Sequence, residues 1–176
     1  MSNITIIGTG NMARTIGTLA VAGGHTVEVM GRDQSKADDL AEALGGGATA
    51  GTWGAVPAGD IVITALLYDG VVPVVVEYGD ALADKVIVDI SNPFNATFDG
   101  LAHSEETSIA QEVAKVAPAG ASVVKAFIES IGLRSLDVGG LKMAHWLDGV
   151  GVVTVGLAGN GVGHWDFALG VNEFTG

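Results

Sequence analysis

Near its start the sequence carries an apolar run, a glycine loop and a segment of helical periodicity, which together constrain the fold most strongly. Ile4–Ile7 leads into Gly8-Thr9-Gly10-Asn11-Met12-Ala13, and apolar residues then recur at helical spacing to Ala22. A strand, a glycine turn and a helix form the context in which such a loop binds a dinucleotide. Gly8 permits the sharp turn, Gly10 lets the backbone approach a pyrophosphate, and the closing alanine keeps helix and strand close. The first N–H groups of the helix would face the phosphates.

The residues after the second predicted strand indicate which dinucleotide binds. This strand, 25–30, is followed by Gly31-Arg32-Asp33-Gln34-Ser35-Lys36. A site for NAD usually places an acidic residue here to hold the ribose 2′-hydroxyl, whereas an arginine accommodates the 2′-phosphate of NADP. A guanidinium can also stack on the adenine. Because Arg32 and Lys36 occupy these positions, we expect NADP rather than NAD.

The chain alternates strands and helices in the manner typical of a doubly wound α/β protein. The predicted strands cover 3–8, 25–30, 60–65, 86–90 and 121–127. The predicted helices cover 12–22, 34–44, 69–78 and 105–116, the last capped by Ser104. Continuous apolar strands between helices indicate a parallel sheet covered on both faces. We expect a Rossmann domain over 1–127 and a small C-terminal helical lobe over 128–176.

Composition and charge exclude several other classes of protein. The 176 residues carry a net charge of −12 and no cysteine. The acidic balance argues against binding to nucleic acid or an anionic membrane surface. The lack of cysteine removes disulfides, thiolate catalysis and Cys-zinc sites. No signal peptide or membrane-spanning apolar run is visible, so we expect a cytoplasmic protein.

Two further loops are candidate cofactor contacts, because ligands of such sheets bind at the carboxyl ends of the strands. Leu66-Leu67-Tyr68 follows the strand 60–65, and Ser91-Asn92-Pro93-Phe94 follows the strand 86–90. Tyr68, and Val72 one helical turn later, either pack on the cofactor or belong to the core. Asn92 and Pro93 either shape the nicotinamide pocket or form a rigid exit turn.

We predict no catalytic side chain and no metal. The Tyr-x-x-x-Lys pair of short-chain dehydrogenases is absent, and His25, His103, His145 and His164 lack the spacing of metal ligands. A hydride transfer between two bound cofactors requires close, oriented stacking rather than a protein acid or base. The missing acid–base machinery fits that chemistry.

Several motifs together resemble the NADPH-dependent coenzyme F420 reductase family. They are Ile6–Met12, Gly31-Arg32 with Lys36, Asp89–Phe94, Val123–Phe127 and Leu133–Gly139. The resemblance covers nearly the whole chain. It implies a Rossmann domain with a small C-terminal lobe, usually dimeric, that passes a hydride between nicotinamide C4 of NADP(H) and C5 of the deazaflavin coenzyme F420. The implied partners are these small-molecule cofactors and a second copy of the chain.

The cofactor contacts that we predict combine the loop positions with this resemblance. They are Gly8, Thr9, Gly10, Asn11, Met12, Gly31, Arg32, Lys36, Leu67, Tyr68, Val72, Asn92, Pro93 and Phe94. Gly31 departs from the small hydroxyl residue that many family members carry before the arginine. We expect this departure to remove one hydrogen bond to the 2′-phosphate.

A second departure lies at the junction of Phe127 and Ile128. The family places a loop, a strand and most of a helix between the equivalents of these residues, so about one βα unit, roughly 30 residues, is lacking. Either a natural deletion has rearranged the lobe, or the sequence omits residues here. The second explanation is favoured because no turn residue connects the apolar strand to Ile128.

Three alternative functions stay open. A flavin reductase or an imine reductase could use the same NADPH-binding fold. A redox-sensing module could bind NADP without turnover. Pyrroline-5-carboxylate reductases share the Gly-Asn-Met-Ala run, but the chain has no room for their long helical dimerisation domain.

Overall fold

The fold is built on a parallel sheet of six strands. The computed structural model describes residues 1–91, 93, 102 and 107–124. Its strands are β1 (Asn3–Ile7), β2 (Thr26–Met30), β3 (Thr49–Ala50), β4 (Ile61–Thr64), β5 (Val86–Asp89) and β6 (Ser122–Val124). They lie in the order β3-β2-β1-β4-β5-β6, with every neighbouring pair parallel. The order reverses at β1, which pairs with both β2 and β4, so the predicted doubly wound fold is confirmed.

Helices cover both faces of this sheet. They are α1 (Asn11–Ala22), α2 (Gln34–Leu44), α3 (Tyr68–Tyr78) and α4 (Ile109–Val116), with a 3₁₀ turn over Gly79–Leu82. Buried residues of α1 and α2 pack with Ile4, Ile6 and Val29 on one face. Buried residues of α3 and α4 pack with Ile7 and Val62 on the other face. Because neighbouring side chains of β1 point to opposite faces of the sheet, they pack into two separate cores.

Local sequence signals account for most of the helix ends. Asp33 caps α2, because its carboxylate accepts a hydrogen bond from the backbone N–H of Lys36 at 3.4 Å. Pro73 lies inside α3, past the first four N–H groups that lack helical acceptors, so it leaves the carbonyl of Asp69 without its usual helical donor. The Ser108 hydroxyl caps α4 by accepting from the N–H of Gln111 at 3.2 Å.

Two element predictions need correction. The last predicted helix begins at Ile109 rather than Glu105, and Ser108 rather than Ser104 is its cap. The two-residue strand β3 was not predicted, because the surrounding glycines leave no periodic apolar pattern. The predicted lobe over 128–176 and the junction before Ile128 lie outside the described residues.

Candidate functional site

A cleft of about 370 Å³ opens at the carboxyl ends of β1, β2 and β4. This is the edge of the sheet where the strand order reverses, as a nucleotide site in such a fold requires. Residues from the glycine loop, the start of α2, the segment after β3 and the start of α3 line the cleft. They are Gly8, Thr9, Gly31, Arg32, Asp33, Lys36, Trp53, Leu66, Leu67, Gly70 and Val74.

The two glycines of the first loop have different roles. Gly8 has a φ of +131°, and a Cβ there would lie 2.3 Å from the carbonyl oxygen of Ala65. The N–H of Gly8 donates to the carbonyl of Met30 at 2.8 Å, which ties the loop to the end of β2. At Gly10, by contrast, an added Cβ would have no neighbouring protein atom within 4 Å. Gly8 is therefore required by the fold, whereas Gly10 leaves space beside the start of α1.

The first turn of α1 presents its backbone to this space. Gly10 precedes the helix in an extended conformation and supplies no side-chain cap. Asn11 and Met12 are exposed, while Ala13 is fully buried against the sheet. Helix N–H groups without a side-chain cap, together with the helix dipole, favour an anion at this position. The local geometry thus fits a pyrophosphate held by the backbone.

The end of β2 comes unusually close to the glycine loop. A Cβ at Gly31 would lie 2.6 Å from the Cγ2 atom of Thr9. A larger residue at position 31 would therefore require the Thr9 side chain to shift, so glycine at this position fits the present placement of Thr9. The Thr9 side chain lines the cleft at this point.

Among the described residues that line the cleft, two are cations, Arg32 and Lys36, and one is an acid, Asp33. The Lys36 ammonium lies 3.7 Å from Oδ2 of Asp33, and both side chains are largely exposed. Surface pairs of this kind are weak and screened, so Lys36 can exchange Asp33 for a phosphate at little cost. No carboxylate of the described residues forms an ion pair with Arg32.

Arg32 instead lies against an aromatic side chain that the sequence did not single out. Its guanidinium carbon is 5.3 Å from the ring centroid of Trp53. The indole N–H of Trp53 donates to Glu77 at 2.7 Å, and the ring meets Tyr78 edge-on with centroids 5.5 Å apart. A lone tryptophan among glycines and small residues was the available signal, but it lies in a loop without periodicity.

Tyr78 anchors this aromatic group from the core. Its hydroxyl accepts a hydrogen bond from the N–H of Gly54 at 3.1 Å, and its side chain is buried. Burial raises the pKa of Tyr78 above its ordinary value, because desolvation disfavours the phenolate. The phenol therefore stays neutral at physiological pH, and the ring contact by which Tyr78 supports Trp53 does not depend on pH in that range.

Glu28, the acid within β2, is engaged away from the cleft. Its Oε2 atom accepts from the Thr5 hydroxyl at 2.7 Å and from the N–H of Ala58 at 2.9 Å. The Thr5 hydroxyl in turn accepts from the N–H of Gly59 at 2.9 Å. Glu28 is thus committed to holding the segment before β4, and it does not line the cleft.

Of the remaining predicted contacts that the structure describes, Leu67 lines the cleft, whereas Tyr68, Val72 and Pro93 do not. Leu67 is 81% exposed at the start of α3. Tyr68 and Val72 are partly buried and pack against the core beneath α3. Pro93 is buried and its carbonyl accepts from the N–H of Ala102 at 2.7 Å. Asn92 and Phe94 lie outside the described residues, and the binding roles of all these residues stay predictions.

Polar groups at the end of β5 are tied to each other. Oδ1 of Asp89 accepts from the N–H of Ser91 at 3.0 Å and from its hydroxyl at 2.7 Å, and both residues are buried. His25 lies at the opposite edge of the sheet, where its Nδ1 accepts from the N–H of Ser2 at 3.2 Å.

In the part of the chain that the structure describes, no group of three histidines or acids could hold a metal ion. No described helix is long and apolar enough to cross a membrane.

Comparison with known proteins supports a specific family. The family model described as NADP oxidoreductase, coenzyme F420-dependent, matches residues 3–93. A proposed F420-dependent NADP reductase from Arthrobacter sp. FB24 is similar in structure, with a TM-score of 0.79 and 16% identity. That comparison covers 98% of this chain and 100% of the other. A search of curated proteins gave no significant match.

Two further solved structures share the fold over part of their length. A hypothetical protein from Sinorhizobium meliloti is 23% identical with a TM-score of 0.63, covering 72% of this chain and 62% of that one. An imine reductase from Bacillus cereus BAG3X2 is 23% identical with a TM-score of 0.52, covering 76% and 43%. The chain thus spans less than two thirds of either protein. At these identities the likeness establishes the fold.

Proposed function

Because the chain belongs to the family of coenzyme F420-dependent NADP oxidoreductases, we propose that it transfers a hydride between NADP(H) and the deazaflavin coenzyme F420. The observation that carries the proposal is the placement of Arg32 and Lys36 beside the glycine loop, in one cleft. The deazaflavin part rests on the family match over residues 3–93. Both parts can be tested separately.

The pyrophosphate of the nucleotide would lie at the start of α1. The space beside Gly10 is free of protein atoms within 4 Å of a Cβ position, so the backbone can approach a phosphate closely. The first N–H groups of α1, at the exposed residues Asn11 and Met12, would donate to the phosphate oxygens. A fixed backbone pays no side-chain entropy for these contacts, which makes this loop a firm anchor.

The 2′-phosphate would meet Arg32 and Lys36. A guanidinium presents paired N–H donors that match a phosphate, and an ammonium adds a point charge. Glu28 is held by Thr5 and Ala58, so it does not offer the ribose the acceptor that an NAD site uses. Asp33 is the acid that remains in the cleft, and it is already engaged as the cap of α2.

The chain's own residues would orient and enclose the reacting rings. When both are bound, NADPH would supply a hydride from its nicotinamide C4 to the C5 atom of the deazaflavin, and solvent would supply the proton that completes the reduced ring. Leu67 offers an exposed apolar surface at the mouth of the cleft. We propose that five further positions flank the nicotinamide, namely Tyr68, Val72, Asn92, Pro93 and Phe94. Orientation and exclusion of water would account for catalysis, since direct hydride transfer needs no protein acid or base.

The deciding experiment is stopped-flow oxidation of NADPH with different acceptors in parallel. The acceptors are the deazaflavin, a free flavin, a cyclic imine and buffer alone. Turnover with the deazaflavin alone is expected. Turnover with the flavin or the imine would assign the chain to one of those reductase classes instead. Binding of NADPH without turnover by any acceptor would indicate a redox-sensing module.

A further inference from the structure

The contact between Arg32 and Trp53 joins two separate segments of the chain. Arg32 follows β2, Trp53 follows β3, and both line the cleft. The guanidinium carbon lies 5.3 Å from the centroid of the indole. This distance is within the range of a cation–π interaction, for which tryptophan is the strongest partner.

The indole is held from behind by α3. Its N–H donates to the Glu77 carboxylate at 2.7 Å, and its ring packs edge-on against the buried Tyr78 at an interplanar angle of 85°. The neighbouring N–H of Gly54 donates to the hydroxyl of Tyr78 at 3.1 Å. Trp53 is therefore a fixed surface, whereas the exposed Arg32 side chain would otherwise sample many rotamers.

We propose that Trp53 is a positioning residue that sets the preference for NADPH over NADH through Arg32. The inference rests on the proposed nucleotide site. A contact through the ring face engages no oxygen acceptor, so the N–H donors of Arg32 stay available to a 2′-phosphate. A carboxylate partner would instead compete with the phosphate for those donors. Ordering Arg32 before the nucleotide binds lowers the entropy cost of the contact.

The test is a double-mutant cycle read out by calorimetric titration of NADPH and NADH. Trp53→Leu is expected to weaken NADPH binding about three- to tenfold, the loss of one cation–π contact, and to leave NADH binding within about twofold. In the Arg32→Ala background, Trp53→Leu is expected to have no further effect on either nucleotide. Val56→Ala is the matched control, since Val56 is exposed in the same segment and does not line the cleft.

The contrary results are equally definite. An equal loss for both nucleotides, or a loss that persists in the Arg32→Ala background, would overturn the proposal, because Trp53 would then act directly or through the fold. If Trp53→Leu does not fold, Trp53→Phe decides. Its weaker ring interaction is expected to lower the NADPH preference about twofold, and an unchanged preference would reject the proposal. Wild-type protein that binds neither nucleotide, or binds both equally, would reject the proposed site itself.

Discussion

Two groups of polar side chains in the sheet differ in their partners. At the middle of β1 and β2 and just before β4 and β5, Thr5, Glu28, Gly59 and Lys85 form a chain of hydrogen bonds in which Thr5 and Glu28 join β1 to β2. At the carboxyl edge, Arg32 and Lys36 are exposed beside a cleft. Burial of a polar group is costly unless it has a hydrogen-bond partner, whereas exposed cations are solvated by water and remain available to bind an anion. The comparison separates residues that maintain the fold from residues available to a ligand.

Substitutions at Gly8 and Gly10 are expected to have the largest effects, at Gly8 on the stability of the fold and at Gly10 on NADPH binding. Gly8→Ala should destabilise the fold by about 2–4 kcal/mol, because its φ of +131° and the Ala65 carbonyl both oppose a side chain. Gly10→Val should keep the melting temperature within a few degrees but abolish NADPH binding, because the side chain would fill the space proposed for the pyrophosphate. Thermal melts and calorimetry measure both effects. Unchanged NADPH affinity in Gly10→Val would place the nucleotide elsewhere.

Arg32→Ala tests the cationic side of the cleft. Loss of hydrogen bonds to a charged phosphate should cost about 1.5–3 kcal/mol of NADPH binding free energy, and NADH should barely respond. Lys115→Ala is a suitable control, because Lys115 is an exposed cation paired with Glu112 on α4 and does not line the cleft. Equal losses for NADPH and NADH in the Arg32 variant would refute the assignment of Arg32 to the 2′-phosphate.

Thr5→Val tests the group of hydrogen-bonded side chains around Thr5. The substitution keeps the shape of the fully buried side chain but removes the acceptor of the Gly59 N–H and the donor to Glu28. Leaving the buried N–H of Gly59 without an acceptor should lower the free energy of unfolding by about 1–3 kcal/mol. Urea denaturation measures the loss. The ratio of NADPH to NADH affinity should stay unchanged. A shift in that ratio would show that the hydrogen bonds around Thr5 influence the proposed nucleotide site.

The smallest expected effect belongs to Asp33→Asn. Asparagine preserves the cap of α2 but removes the negative charge that lies 3.7 Å from the Lys36 ammonium. NADPH binding should tighten by roughly two- to fivefold, as expected for release from an exposed ion pair, while NADH binding stays the same. Titration at low and moderate salt checks this, since added salt should reduce the gain. Weaker NADPH binding would mean that Asp33 itself contacts the nucleotide.

Local sequence signals predicted the parts of the fold that depend on local physics. The range Gln34–Leu44 coincides with the predicted second helix, because Asp33 caps it and glycine follows it. The start of α4 was placed too early, because Ser104 and Ser108 are both followed by acids within four residues and the sequence pattern does not distinguish the two serines. Ile109 is buried in the second core and so fixes the first turn.

The site residues that belong to a local sequence motif could be predicted. Contacts between loops that are far apart in the sequence could not. Gly8 and Thr9 of the glycine loop and Arg32 follow from motif spacing and line the cleft, whereas Gly10, Asn11 and Met12 lie outside its lining. Trp53 reaches Arg32 only because the segment after β3 folds back onto α3, a contact between residues 21 positions apart that no periodic pattern encodes. The hydrogen bonds that hold Glu28 likewise join it to Thr5 and Ala58, which are distant along the chain.

Hydride transfer to a deazaflavin is the central claim, and isotope transfer tests it most directly. NADPH carrying deuterium at both C4 positions is mixed with the protein and the oxidised deazaflavin in ordinary water, and the product is examined by mass spectrometry and NMR. We predict one deuterium at C5 of the reduced deazaflavin, because the hydride passes directly between the rings. A product without deuterium, or no reduction of the deazaflavin while NADPH stays bound, would contradict the account.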